Sequence, residues 1–132
     1  MTKNGFFLLL GITSVILTGC DTPDSEQVRQ RQHLPEPSFV ADPQRGDALF
    51  HAHCARCHGE KGTGTDQGPP LMHHVYRPGH HADLTFHWAI KDGVRQHHWH
   101  FGNMPPIADV SPQRAEHIIA YVRREQRNAG IR

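Results

Sequence analysis

The sequence predicts a small all-α domain, and three observations carry that expectation. Asp42-Pro43 and Ser111-Pro112 each pair a good N-cap residue with a proline suited to the first helical turn. Ala115, Ile118, Ile119 and Val122 recur at helical spacing, and Tyr121 joins the same face. No segment shows the alternation of a half-buried strand, no repeat is visible, and the joining stretches are rich in Gly and Pro. Three to four helices are expected within residues 42–132, a length at which a bound cofactor substantially enlarges the available apolar core.

The elements follow in order. Lys3 precedes an apolar run from Phe6 to Leu17; about a dozen residues suits a signal-peptide core and falls short of the ~20 that span a bilayer. The run ends in Leu17-Thr18-Gly19-Cys20, which resembles the lipobox of bacterial lipoproteins, where the cysteine is acylated and heads the cleaved chain. Residues 1–19 are therefore expected to be a lipoprotein signal peptide and Cys20 a lipid anchor, each buried methylene adding about 0.8 kcal/mol of membrane affinity. Asp21 resembles the inner-membrane retention signal of enteric lipoproteins, which puts the expected location on the periplasmic side of the inner membrane. Residues 20–41 carry Thr, Asp, Ser, Gln and Pro with scattered apolar positions, a composition that cannot bury a core and is read as a flexible tether of roughly 25 Å reach.

Asp42-Pro43 opens the first domain helix, through Ala48, Leu49 and Phe50, into Cys54-Ala55-Arg56-Cys57-His58. Cys-x-x-Cys-His is the pattern of covalent haem attachment: two thiols form thioethers with the haem vinyl groups, and the imidazole coordinates iron from one side. A redox dithiol would call for a strand-then-helix setting, and a zinc site for a second ligand pair; Cys20 is the one other thiol. One covalently attached haem c is expected, held by Cys54 and Cys57 with His58 as an axial iron ligand. Asp83 is expected to cap the next helix, through Phe86, Ala89 and Ile90, with Gly93 ending it at positive φ. Ser111-Pro112 opens the last.

From Asp42 to the C-terminus these motifs resemble the class I cytochrome c family. Gly46 and Phe50 ahead of Cys54 resemble its Gly-x-x-x-Phe/Tyr signature, in which the glycine lets the terminal helices cross closely, and Tyr121 resembles the matching aromatic. Gly68-Pro69-Pro70-Leu71 resembles the family's Gly-Pro-x-Leu loop, so the resemblance implies that the Pro69 carbonyl accepts a hydrogen bond from the His58 ring and that Leu71 forms a haem wall. Gly102-Asn103-Met104-Pro105-Pro106 resembles the distal Met-Pro loop and implies Met104 as the second axial ligand, a thioether that raises the reduction potential. Met72 is the rival methionine, and histidine ligation is the other alternative.

Thirteen histidines are present, many in the clusters His51/His53, His73/His74, His80/His81 and His97/His98/His100. They are compatible with a bis-histidine haem or with Cu²⁺ or Zn²⁺. Adjacent histidines on an extended segment point apart, so solvated side chains, with one or two hydrogen-bonded to propionates or backbone, are the favoured expectation. Tyr76, Arg77, Trp88 and Trp99 are candidate partners for the haem propionates, with core packing favoured for Trp88.

Loss of Lys3 leaves thirteen basic and thirteen acidic residues, which gives nucleic-acid binding no electrostatic support. No nucleophile triad, carboxylate pair or phosphate loop stands out. The expected function is one-electron transfer between redox protein partners by a membrane-anchored carrier without enzyme activity of its own. The alternatives are a haem lipoprotein with an open or histidine-ligated site, acting in ligand sensing or peroxidatic chemistry, and a copper-handling lipoprotein.

Overall fold

The computed structural model describes residues 23–132; the expected signal peptide and Cys20 lie outside the described residues. Among the described residues the order is α1 (Ser25–Arg31), α2 (Pro43–His53), α3 (Ala55–His58), a 3₁₀ turn (His74–Tyr76), α4 (Asp83–Asp92) and α5 (Pro112–Asn128). An isolated antiparallel bridge joins Val94 and Met104. The fold is all-α, as expected, with two helices beyond the three read from sequence: α1 and the single turn α3.

α2 starts where its cap dictates. The Asp42 carboxylate accepts from the Gln44 and Arg45 amides, and Pro43 occupies the first turn. α5 is capped in the same way by Ser111, whose side chain accepts from the Arg114 amide. Its apolar face is buried at Ala115, Ile118, Ile119, Tyr121 and Val122. The two helices cross at Gly46, where a Cβ would collide with the His117 carbonyl and lie 2.8 Å from Tyr121 Cβ. The close approach sets the Phe50 and Tyr121 rings 5.2 Å apart, centroid to centroid. Phe50, Leu71, Ile90, Val110, Ala115, Ile118, Tyr121 and Val122 form one buried cluster.

Three expectations are corrected. The segment expected as a tether holds α1 and packs on the domain. Glu26 in the first turn and Arg29 and Arg31 in the last suit the helix dipole, and Gln30 Nε2 donates to Glu26 Oε1 at 2.7 Å. Lys91 Nζ donates to the Arg31 carbonyl at 2.7 Å, His33 Nε2 lies 3.0 Å from the Val110 carbonyl, and the Phe39 ring meets His117 edge-on at 5.0 Å. Local charge pairing and docking thus order a stretch whose composition alone builds no core. Second, Ala82 rather than Asp83 is the N-cap of α4; Asp83 sits in the first turn and pairs with Arg123 Nε at 2.7 Å, which turns its carboxylate away from a capping role. Third, Trp88 is 43% exposed, because the buried side of α4 is presented by His87 and Ile90.

Candidate haem site

A cavity of about 310 Å³ beside the Cys-x-x-Cys-His motif is lined chiefly by apolar side chains from four regions. α2 and the motif contribute Phe50, Cys54 and His58; the following loop contributes Pro69, Leu71 and Tyr76; α4 and α5 contribute Phe86, Ile90, Ile118 and Val122; the loop after α4 contributes Trp99 and Met104.

His58 ends α3 and is held there by backbone as well as side-chain bonds. Its amide donates to the Cys54 carbonyl at 3.0 Å, and its Nδ1 lies 2.9 Å from the Pro69 carbonyl. A carbonyl can only accept, so Nδ1 carries the proton and the Nε2 lone pair is left free for a metal. Burial pulls the His58 pKa below its ordinary value, which favours the neutral, ligating imidazole. Burial, together with neighbouring Cys57, pushes the Cys54 thiol up to about 12. A thiol so protonated is a poor redox dithiol, which weighs against that reading of the Cys pair. Around Cys57 the backbone is crowded: Thr65 Oγ1 donates to its carbonyl at 2.6 Å, and a Cβ on Gly68 would come within 2.8 Å of the same oxygen.

The proximal loop is fastened from below by α5. Gln126 Nε2 donates to the carbonyls of Leu71 and Tyr76, both at 3.0 Å. Arg123 Nη1 donates to the Tyr76 carbonyl and to Gln126 Oε1, each at 2.7 Å, and Arg123 Nη2 donates to the His81 carbonyl. Sequence reading had singled out neither residue. Both lie one turn on from Ile119 and Val122, on the buried side of α5, yet as polar residues they leave no mark in the apolar pattern. Two further buried polar residues were also missed. His117 Nδ1 accepts from the Asp42 amide at 2.8 Å, and His87 Nε2 meets Glu116 Oε2 at 2.6 Å.

Met104 is half-buried on the opposite loop, and its backbone pairs with Val94 in both directions at 2.9 Å. Gly93 makes that pairing feasible: its φ is +76°, and a Cβ there would come 2.5 Å from the Met104 carbonyl. Met72, the rival, does not line the cavity; its Cε lies against Gly62. His58, Cys54, Pro69, Leu71 and Met104 therefore share one cavity.

Of the propionate candidates, Tyr76 and Trp99 line the cavity. Trp99 Nε1 is buried beside the Tyr76 hydroxyl but makes no hydrogen bond of good geometry among the described residues, a condition that suits a donor whose partner belongs to a bound group. Burial pushes the Tyr76 hydroxyl above its ordinary pKa. Arg77 instead reaches back to His74, with Nη1 3.1 Å from the ring Nδ1. Trp88 lies outside the lining. Free imidazole, a large apolar cavity and an unpartnered buried donor together fit a haem.

The histidines do not all stay apart. His51 pairs with Asp47 within α2, and His73 meets Trp99 edge-on at 5.1 Å. His80, His81, His97 and His98 do converge: the rings of His97 and His98 are 4.3 Å apart and those of His80 and His81 4.9 Å. The expectation that adjacent histidines point apart fails here because both segments are bent loops rather than extended strands. No helix among the described residues is long and apolar enough to cross a membrane.

Comparison with curated proteins and with solved structures gives no significant match. The family model described as "Cytochrome c" matches residues 43–125, from the first turn of α2 through most of α5. That span takes in the Cys-x-x-Cys-His motif, the Pro69 carbonyl, Met104 and the Gly46 crossing, and it covers well over half of the chain: the protein belongs to the cytochrome c family and carries covalently attached haem c.

Proposed function

We propose that this protein is a lipid-anchored, extracytoplasmic one-electron carrier whose haem iron is ligated by His58 and Met104. Family membership supports electron transfer by a c-type cytochrome. Against Met72, the observation that carries the ligand assignment is that Met104 shares the His58 cavity while Met72 does not; over His81, His97 and His98, which also line it, Met104 is preferred on its Gly102–Pro106 loop motif.

Bound haem c supplies a one-electron Fe(III)/Fe(II) couple. The chain supplies the environment that couple needs. His58 is presented in one tautomer by the Pro69 carbonyl. Met104 is presented on a loop stiffened by Pro105, Pro106 and the Val94 bridge. Trp99 Nε1 is the donor for a propionate. The apolar walls exclude water and lower the local dielectric. A site closed by two protein ligands has no place for a substrate, so the role is carriage of electrons between redox partners rather than catalysis. The anchor rests on Cys20 and the apolar run before it.

Two experiments test this reading. Voltammetry of the haem-loaded protein is expected to give one reversible one-electron wave that moves to lower potential in Met104→His, since a thioether favours ferrous iron; an unchanged wave removes Met104 from the iron. Detergent phase partitioning is expected to place the wild type with lipid and Cys20→Ala in the aqueous phase; a wild type found in the aqueous phase removes the anchor.

A further inference from the structure

His81, His97 and His98 also line the haem cavity, and His80 packs against them, but neither axial ligation by His58 and Met104 nor the Trp99 donor uses this convergence. The candidate ligand atoms of His80, His81 and His98 all lie within 4.8 Å of one another. His97 adjoins them, its ring stacked 6.0 Å from that of His81. Among the described residues no carboxylate pairs with any of the four; the histidine ion pairs are those of His51 and His87. A salt-bridge network therefore does not account for the grouping, and protonated imidazoles packed this closely would repel one another.

We propose that His80, His81 and His98 form a second metal site, a three-imidazole centre for a divalent cation that prefers nitrogen ligands, Zn²⁺ or Cu²⁺. An all-imidazole donor set suits these ions and is a poor match for Mg²⁺ or Ca²⁺, which take oxygen. Three histidines with water in the fourth position is an established tetrahedral arrangement, with nitrogens about 3.3 Å apart when each metal bond is 2.0–2.1 Å. Reaching it from the observed spacing needs at most about 1.5 Å of closure between any two of the nitrogens. His80 and His98 are exposed and able to turn.

His81 is the fixed member. Its Nδ1 donates to the Val75 carbonyl at 2.8 Å, which leaves Nε2 unprotonated and aimed away from that bond, the arrangement by which outer carbonyls orient metal-bound histidines. The backbone beneath it is anchored too, since the His80 and His81 amides both donate to the Arg77 carbonyl at 2.9 Å and Arg123 holds the His81 carbonyl. The loop carrying His98 is braced across its base. The Gln96 amide donates to Asn103 Oδ1 at 3.1 Å and the Gly102 amide to Gln96 Oε1 at 3.0 Å. A cation bound there ties the loop of residues 77–82 to the loop that presents Met104, across the rim of the cavity.

Calorimetric titration of the haem-loaded protein with Zn²⁺ near pH 7.5 tests the site. One saturable equivalent is expected in the wild type, in His53→Ala and in His74→Ala. In His80→Ala and in His98→Ala the affinity is expected to fall at least ~10-fold, with the haem absorption spectrum unchanged as the check that each variant is folded. No saturable uptake in the wild type overturns the proposal, as does uptake that survives both cluster substitutions. A haem spectrum altered by His98→Ala also overturns it and gives His98 to the iron instead.

Discussion

Gly46 shows how one side chain, or its absence, governs the fold. Alanine in place of glycine inside a helix ordinarily stabilises by up to about 1 kcal/mol. At Gly46 the added methyl meets the His117 carbonyl and comes 2.8 Å from Tyr121 Cβ, both on the partner helix. Backbone cannot step aside as a flexible side chain can, and overpacking of this kind costs typically 1–3 kcal/mol. Gly46→Ala is therefore expected to lower the stability of the haem-loaded protein by about 1–2 kcal/mol, read from the midpoint of denaturant unfolding; a gain would mean that α2 and α5 do not cross this tightly. The same scale shows what residue types disclose unaided. Cys54, Cys57 and His58 announce their chemistry through spacing, and Gly46, Pro69 and Met104 through short motifs. Gln126 and Arg123 do not, because a polar residue that fastens a loop from beneath has no local pattern. Its partners, Leu71 and Tyr76, are distant in sequence.

Among the elements, the helices with strong caps were legible, and α2 and α5 begin where Asp42 and Ser111 place them. The α1 segment was not, since its stability comes from charge pairs and from docking onto α4 and the Val110 turn rather than from an apolar stripe. That docking carries a pH signature. Burial, the largest influence on His33, holds its pKa below 6.5. The unfolded chain therefore binds the proton more readily than the folded one as the pH drops below 6.5. The contribution of neutral His33 is present above that pH and is lost as the pH falls toward the folded value. Unfolding midpoints at pH 7.5 and 5.5 are expected to differ less in His33→Ala than in the wild type. Equal differences would mean that His33 is no more shielded in the folded protein than in the unfolded chain. His81 is also held low, with burial as the largest cause, so it tilts the wild-type curve in the same direction.

The whole molecule is built around its cavity. Phe50, Leu71, Ile90, Ile118 and Val122 belong both to the buried cluster and to the cavity lining, so the core is complete only when the group between them is bound. Without that group the apolar walls of a cavity of about 310 Å³ are left facing water, forfeiting burial worth roughly 25 cal/mol per Å² of apolar surface. A Cys54→Ala/Cys57→Ala chain produced without haem is accordingly expected to lose its near-ultraviolet circular dichroism and its cooperative unfolding transition. Retention of both would show that the helices pack without the cofactor. Family, fold and attachment chemistry were thus readable from motif order. The histidine convergence was not, since it depends on how two loops bend toward each other.

The proposed closure of the iron by His58 and Met104 can be read from the visible spectrum of the oxidised, haem-loaded protein. A far-red sulfur-to-iron charge-transfer band is expected that disappears in Met104→Ala and persists in Met72→Ala and His98→Ala, with no shift of the reduced wild-type spectrum under CO. A wild type lacking that band, or a band that survives loss of Met104, would contradict it.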